Sequence, residues 1–380
     1  ATQTGVAPNV NLYIYQEGSN NQASQYVYGA GANANIYQYG ERNVAIQTTQ
    51  GWNAFINQNG SFNFARQTMV GQGDLNVSMY GDSNIAQQAG EGQGIRFYGQ
   101  MGDFNYNPSM SNTLIQGAVG AYHQLSAYVY GMGNTITQSA SGLGHNLYAN
   151  QGDYFYSPSF DSEISQEASG ENSYLQAYQY GERNLADQTA NSDGGNLYIY
   201  QGWNTFAVND STAIQRLNGE NGNLNIEQYQ GDGNTALQEA TSTSWLSANI
   251  YQSGNINWAR QVQNGLSLNA SIWQSGDNNA SFQSQSGFQH QAYANIGGPS
   301  ADNVTIQQQS GTSLRANAGI GAETSGNRIE QTQSGFENNM NAWIGDNGFD
   351  NTITQQQDGA TYSSQNVDQY GDMNQAGQYM

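Results

Sequence analysis

The chain has 380 residues, of which 48 are Asn, 47 Gln and 47 Gly, while Leu, Ile, Val and Phe together number only 61, a share below the ~20% at which chains begin to look disordered. Eight Arg, no Lys and 29 acids leave a net charge of −21, so no basic stripe exists to neutralise phosphates, which argues against nucleic acid and anionic membrane as partners. The absence of Cys is compatible with an oxidising exterior, and with no apolar run of about 18 residues nothing is expected to insert in a membrane.

Residues 1–10 read as a short N-terminal segment without a charged-then-apolar leader, as expected of a mature form or of a chain that never had one. The first strand is expected near Asn11, in Asn11-Leu-Tyr-Ile-Tyr-Gln16, where Leu12, Ile14 and Gln16 share one parity and Tyr13 and Tyr15 the other. This is the period-2 signature of a strand with two distinct faces. Kindred segments start at Asn53, Asn196 and Asn269. A tight turn Gly-x-x-Asn follows, with Gly18, Gly40, Gly60, Gly81, Gly131, Gly181, Gly231, Gly254, Gly276 and Gly371 supplying the backbone angles. Then comes a pentad Asn-x-φ-x-Gln, with φ usually Ala, Ile or Leu. It starts at Asn21, Asn43, Asn63, Asn84, Asn112, Asn134, Asn184, Asn234, Asn257, Asn279, Asn303, Asn327, Asn351 and Asn374, and with Ser in the Asn place at Ser162 and Ser211. From 21 to 374 is 353 residues over 15 intervals, about 23.5 each. Such a period predicts an all-β fold: a two-sided β-solenoid of cross-β type over residues 11–380, about 16 repeats with one strand-turn-strand unit of about 23 residues per rung.

Rungs ~4.8 Å apart turn equivalent residues into columns. The inward Asn of each pentad can then bond along the stack, as can Gln16, Gln38, Gln58, Gln252 and Gln274 before the turn and Gln263 and Gln285 after the pentad, because an amide both donates and accepts. Inward aliphatics such as Ala45, Ile136, Ile329 and Ile353 supply a thin dry seam. Acids two residues before the pentad, Glu41, Asp82, Glu182, Asp232, Asp277 and Asp372, fall only in even-numbered repeats. Odd repeats place theirs one residue later, at Asp161, Asp210, Asp302 and Asp350. This stagger spaces like charges and implies a two-rung superperiod. Longer turns carrying Pro108, Pro158 and Pro299 are expected to protrude without breaking the ladder.

Nothing in the chain reads as an enzyme. His123, His145 and His290 are too few and scattered for a metal centre or triad, no calcium-binding nonapeptide is present, and no helix follows Gly29-Ala-Gly-Ala-Asn33 to make a phosphate loop. No catalytic residue, cofactor or metal is expected. Tyr15, Tyr37, Tyr200, Tyr251 and Trp273 occupy one outward position and suit either cross-rung packing or adhesion. Both end rungs resemble interior ones, so one molecule is expected to template the next. A soluble solenoid that binds a glycan or other repetitive surface is the alternative.

The spacing Gln-x-Gly-x-x-Asn-x-Ala-x-x-x-Gln, complete at Gln252, Gly254, Asn257, Ala259 and Gln263 and nearly so at Gln274, Gly276, Asn279, Ser281 and Gln285, resembles that of the curlin family, the major subunits of bacterial curli fibres. The likeness runs from about Asn11 to Gln378, with Thr49 and Met69 where the family has its last Gln, and with about 16 repeats where curlins typically have about five. The resemblance implies secretion through an outer-membrane channel, nucleation by a minor curlin, and growth as a homopolymer into extracellular amyloid fibres of the biofilm matrix at the cell surface.

Overall fold

A computed structural model describes residues 1–103, 109–152, 158–191, 194–202, 207–218, 220–241 and 245–380. The chain is all β: parallel strands stack as a β-solenoid of about 16 turns, ~23 residues apart. It divides into two compact units, Ala1–Thr189 and Ala190–Met380. Within each unit every rung contributes one strand to a sheet carrying the pentads and one to an opposing sheet, such as Val44–Thr49 and Asn33–Tyr39 in the first unit or Ala280–Phe288 and Asn269–Ser275 in the second. Neighbouring strands pair in register, type on type: Ala23 with Ala45, Gln25 with Gln47, Gln283 with Gln307 and Gly287 with Gly311. Burial alternates along the strands, as in Asn33–Tyr39 and Val44–Thr49, so the period-2 pattern translates directly into an inner and an outer face.

Strand structure begins ahead of Asn11, where the sequence placed the first strand. Thr2–Gly5 pairs with Ser24–Val27, and the reason lies in Gln3, whose amide donates to Gln25 at 3.1 Å and so falls in the pentad Gln column. Longer insertions fall in turns, and single-residue register shifts occur within strands at Gln228/Gln230 and Gln333/Gly335. Thr135–Leu143 and Glu163–Glu171 lie 28 positions apart yet hold nine residue pairs in register. Residues 153–157, in the turn leading to Pro158, and residues 104–108, which include Pro108, lie outside the described residues. The Pro299 turn, entered through a cis Gly298–Pro299 peptide, leaves the pairing of Ala280–Phe288 with Val304–Thr312 intact.

The turn before each pentad has two special positions. The eight glycines Gly18, Gly40, Gly60, Gly81, Gly181, Gly254, Gly276 and Gly371 have φ between +83° and +129°. Several also pack carbonyl to Cα: a Cβ on Gly40 would lie 2.2 Å from the Gly60 carbonyl oxygen, while Ser109 and Ser159 take the same column position in their rungs. Two residues later the backbone is again left-handed, and here ordinary residues accept it. Asn20, Arg42, Phe62, Ser83, Ile256 and Met373 sit at +56° to +60°, a conformation that costs roughly 1–2 kcal/mol for a non-glycine residue and most for a β-branched one such as Ile256.

The seam between the sheets is dry and complementary in size. Ala45, Ala65, Ala86, Ala236 and Ala259 in the pentad sheet belong to rungs with Ile36, Ile56, Val77, Ile226 and Ile250 in the opposing sheet, all buried. Where the pentad carries a large residue the opposing one shrinks: Leu114 lies against Gly99, and Ile329 and Ile353 cluster with Ala318 and Ala342. A Cβ on Gly99 would lie 2.4 Å from Leu114 Cδ2. Gly99→Ala is therefore expected to destabilise the chain by about 1–3 kcal/mol through overpacking, and Leu114→Ala by about 2–5 kcal/mol through the cavity left. The double variant Gly99→Ile with Leu114→Ala restores the arrangement of the other rungs, and chemical denaturation should find it more stable than Leu114→Ala alone.

Candidate functional site: the amide ladders

The most continuous polar feature is the Gln that closes each pentad. In the first unit Gln25, Gln47, Gln67, Gln88, Gln116, Gln138, Gln166 and Gln188 pass a side-chain hydrogen bond from Nε2 to the next Oε1 at 2.7–3.2 Å. In the second, Gln215, Gln238, Gln261, Gln283, Gln307, Gln331, Gln355 and Gln378 do the same at 2.7–3.3 Å. The same Nε2 donates its other hydrogen across the seam to a backbone carbonyl of the opposing strand: Gln47 to Asn35 and Gln283 to Ser271, both at 3.0 Å. Sequence reasoning used this Gln to define the repeat but did not place it among the ladder residues. Its constancy through all 16 pentads was the signal.

The ladder residues named from sequence fall into three columns. Gln16, Gln38 and Gln58 form one run, and Gln252 and Gln274, joined by Gln228, another in the same column, at 2.9 Å per bond. In the first unit the column turns apolar at Met79, Met101 and Val129 and returns to Gln at Gln151 and Gln179, and in the second it runs from Gln201 through Gln228 and turns apolar at Ile296, Ile320 and Ile344. Gln263 and Gln285 open a second column that continues through Gln309 and Gln333 to Gln357. In earlier rungs this position holds Thr49 and Met69, both buried.

The third column is the pentad Asn. Each Oδ1 accepts the backbone N–H of its counterpart one rung on, as from Asn43 to Asn21 (3.0 Å), Asn63 to Asn43 (3.0 Å), Asn84 to Asn63 (3.0 Å), Asn134 to Asn112 (2.9 Å), Asn257 to Asn234 (2.9 Å) and Asn279 to Asn257 (3.0 Å). Asn303, Asn327, Asn351 and Asn374 continue it. The Nδ2 group donates to turn carbonyls, for example from Asn43 to Tyr39 and Gly60. Ser162 and Ser211 keep the acceptor through Oγ, which receives the Asn184 and Asn234 N–H groups. Asn21 is half-buried and Asn374 exposed, while the Asn column between them within each unit is buried.

The opposite corner repeats this design, which the sequence reading did not anticipate. A second glycine column, Gly265, Gly287, Gly311 and Gly335, turns with φ of +114° to +145°, and three residues after Gly287 and Gly335 stand His290 and Asn338. Asn338 Nδ2 donates to the Ser334 carbonyl and Oδ1 accepts the Ser363 N–H. His290 reproduces both bonds, Nε2 to the Ser286 carbonyl (2.9 Å) and the Leu314 N–H to Nδ1 (3.3 Å). His123 and His145 take the same corner one rung apart, stacked at 5.3 Å and 9°, with Nε2 on the Val119 and Ser141 carbonyls. His290 thus stands in for a corner asparagine through both ring nitrogens, while His123 and His145 keep only the bond from Nε2 to the carbonyl four residues back. Among the described residues no three His, Asp or Glu side chains gather as metal ligands.

The turn acids do more than space charge. Asp82, Asp232, Asp277 and Asp372 each accept, through Oδ1, the backbone N–H of the matching residue one rung before, Ser61 (2.7 Å), Asn209 (3.1 Å), Asn255 (2.7 Å) and Phe349 (3.1 Å). Asn255 in turn accepts from the Asp232 N–H at 2.9 Å. Glu182 pairs instead with Arg183 at 2.9 Å, and Glu41 occupies the same turn position, its carbonyl accepting the Phe62 N–H. The outward aromatics form the broken column expected of them: Tyr15 aligns with Tyr37 and Tyr251 with Trp273, but Tyr37 with Asn57 and Tyr200 with Glu227. No family model and no curated protein matches the chain.

Two outcomes follow from this geometry. Gln283→Leu strands the buried Oε1 of Gln307 and Nε2 of Gln261 and removes the bond to Ser271; each unmet buried group costs about 1–3 kcal/mol, and a drop of that order or more in denaturation free energy checks the ladder. Burial, and for His123 also the adjacent His145, holds His123 and His290 below their ordinary 6.5. The unfolded chain therefore binds protons that the folded corners refuse. Their contribution is intact above the ordinary 6.5 and is lost as the pH falls below it through the lowered folded values. Replacing His123 and His290 by Asn should flatten that part of the stability profile relative to the parent chain.

Proposed function

We propose that this chain is a structural subunit that self-assembles end to end into extracellular, curli-like amyloid fibres of a biofilm matrix, with adhesion as a consequence. One observation carries the reading: within each unit successive rungs meet through a parallel backbone ladder, a Gln-to-Gln bond and an Asn or Ser acceptor for the next rung's N–H. A surface built of these groups is complementary to another copy of itself, so adding a chain repeats a contact the fold already makes. The spacing shared with curlins points the same way and adds a minor curlin as nucleator and an outer-membrane channel as the export route. The alternative, a monomeric solenoid that binds a glycan, has less behind it, because the outer rings of the first unit turn toward one another rather than lying open as a flat platform.

Incubating the purified chain is expected to give fibres with reflections near ~4.8 Å and ~10 Å, and sonicated fibres should abolish the lag of a fresh solution. Protein that stays monomeric with or without seeds, and binds an immobilised polysaccharide instead, would overturn the proposal in favour of the glycan reading.

A further inference from the structure

On the outer face of the opposing sheet in the first unit, four tyrosines follow a zigzag. Register places Tyr98 beside Ser126 and Gln100 beside Tyr128, Ser126 beside Tyr148 and Tyr128 beside Asn150, then Tyr148 beside Gln176 and Asn150 beside Tyr178. Tyrosine therefore alternates between two adjacent columns, one per rung, and its neighbour within a column is always Ser, Asn or Gln. Diagonal neighbours on a sheet remain within reach of aromatic side chains. The ring centroids lie 5.6, 5.7 and 5.2 Å apart along Tyr98, Tyr128, Tyr148 and Tyr178, at interplanar angles of 50°, 40° and 36°. All four rings are partly open to solvent, Tyr98 by 38%.

We propose that Tyr98, Tyr128, Tyr148 and Tyr178 form an oxidative cross-linking site, where a haem peroxidase and hydrogen peroxide couple neighbouring phenols into dityrosine and fasten successive rungs covalently. Each of two phenols gives up one electron and one proton. The resulting phenoxyl radicals join through the carbons ortho to oxygen, and the two displaced ring hydrogens return to the oxygens. The two electrons and two protons reduce one peroxide to two waters. Burial holds Tyr98, Tyr148 and Tyr178 above their ordinary 10.0, so the reacting species at neutral pH is the protonated phenol. The zigzag matters because a phenoxyl radical finds its coupling partner already in contact, whereas isolated tyrosines must meet another molecule. The site requires only the rung stack and is independent of fibre growth.

The test treats the full chain, kept dilute and monomeric, with peroxidase and hydrogen peroxide, then follows dityrosine fluorescence and maps linked peptides by mass spectrometry after proteolysis. Expected are intramolecular links Tyr98–Tyr128, Tyr128–Tyr148 and Tyr148–Tyr178. The double variant Tyr128→Phe with Tyr148→Phe keeps the rings and hence the packing, and should lose all three links while its circular dichroism is unchanged. Links confined to the exposed single tyrosines Tyr122, Tyr362 and Tyr370, at 69–70% exposure, would overturn the proposal. So would fluorescence that the double variant leaves undiminished.

Discussion

The fold depends on the geometry of a primary amide. A Gln side chain in the seam has two N–H hydrogens pointing in different directions. The solenoid gives each a fixed target: the Oε1 of the next rung along the stack and a backbone carbonyl of the facing strand across it, as Gln307 does with Gln331 and Tyr293. Burying an unpaired amide costs several kcal/mol in an apolar interior. A column of amides that satisfy one another removes that cost and crosslinks the two sheets at every rung. This explains how a chain with 61 Leu, Ile, Val and Phe residues fills its interior. It also fixes register, since slipping a strand by one residue would turn its whole Gln column outward.

Such a column can only stop at a cost, and the termini of the shorter ladder show it. Gln263 Oε1 and Gln357 Nε2 are buried without a partner, and they are the first and last members of the run Gln263–Gln285–Gln309–Gln333–Gln357. The two secondary columns trade places in the same rungs. Where Gln309, Gln333 and Gln357 fill one, Ile296, Ile320 and Ile344 fill the other. Where Gln38 and Gln58 fill the second, Thr49 and Met69 fill the first. In these rungs an amide ladder stands beside a less polar stack, whereas Gln252 and Gln274 share their rungs with Gln263 and Gln285, and of the Gln columns only that of the pentads runs the length of each unit. It is the one position that ties both sheets everywhere.

Features that recur at constant offset were legible in the sequence: the pentads, the Gly-x-x-Asn turn and the inner and outer parity of the strands, because each comes from a local rule of turn chemistry or strand period. The opposite corner escaped because its turn is filled by different residue types, Leu268, His290, Leu314 and Asn338 in four successive rungs. Its side chain accepts the N–H one rung on and donates to the carbonyl four residues back, which Asn338 and His290 do with unlike side chains and Leu does not do at all. Histidines that looked scattered along the chain, His123 and His145, are neighbours in the stack. The size exchange of Leu114 with Gly99 and the diagonal path of the tyrosines likewise depend on which residues share a rung or adjoin across rungs, and neither is visible along one strand.

The acidic balance finds its place in the same logic. Where the turn position two before the pentad carries Asp or Asn, its side chain accepts the backbone N–H of the previous rung. Asn209, Asp232, Asn255 and Asp277 alternate through four rungs of the second unit. An Asp on every rung would set like charges ~4.8 Å apart, well within the ~8–10 Å over which salt screens them. An Asn on every rung would make the same bonds and leave the stack uncharged. Alternation keeps the hydrogen bond at each rung and places successive charges of the column at ~9.6 Å, about the screening distance. Along these four rungs the alternation therefore balances a short-range bond that Asp and Asn both make against a repulsion that every second rung can bear.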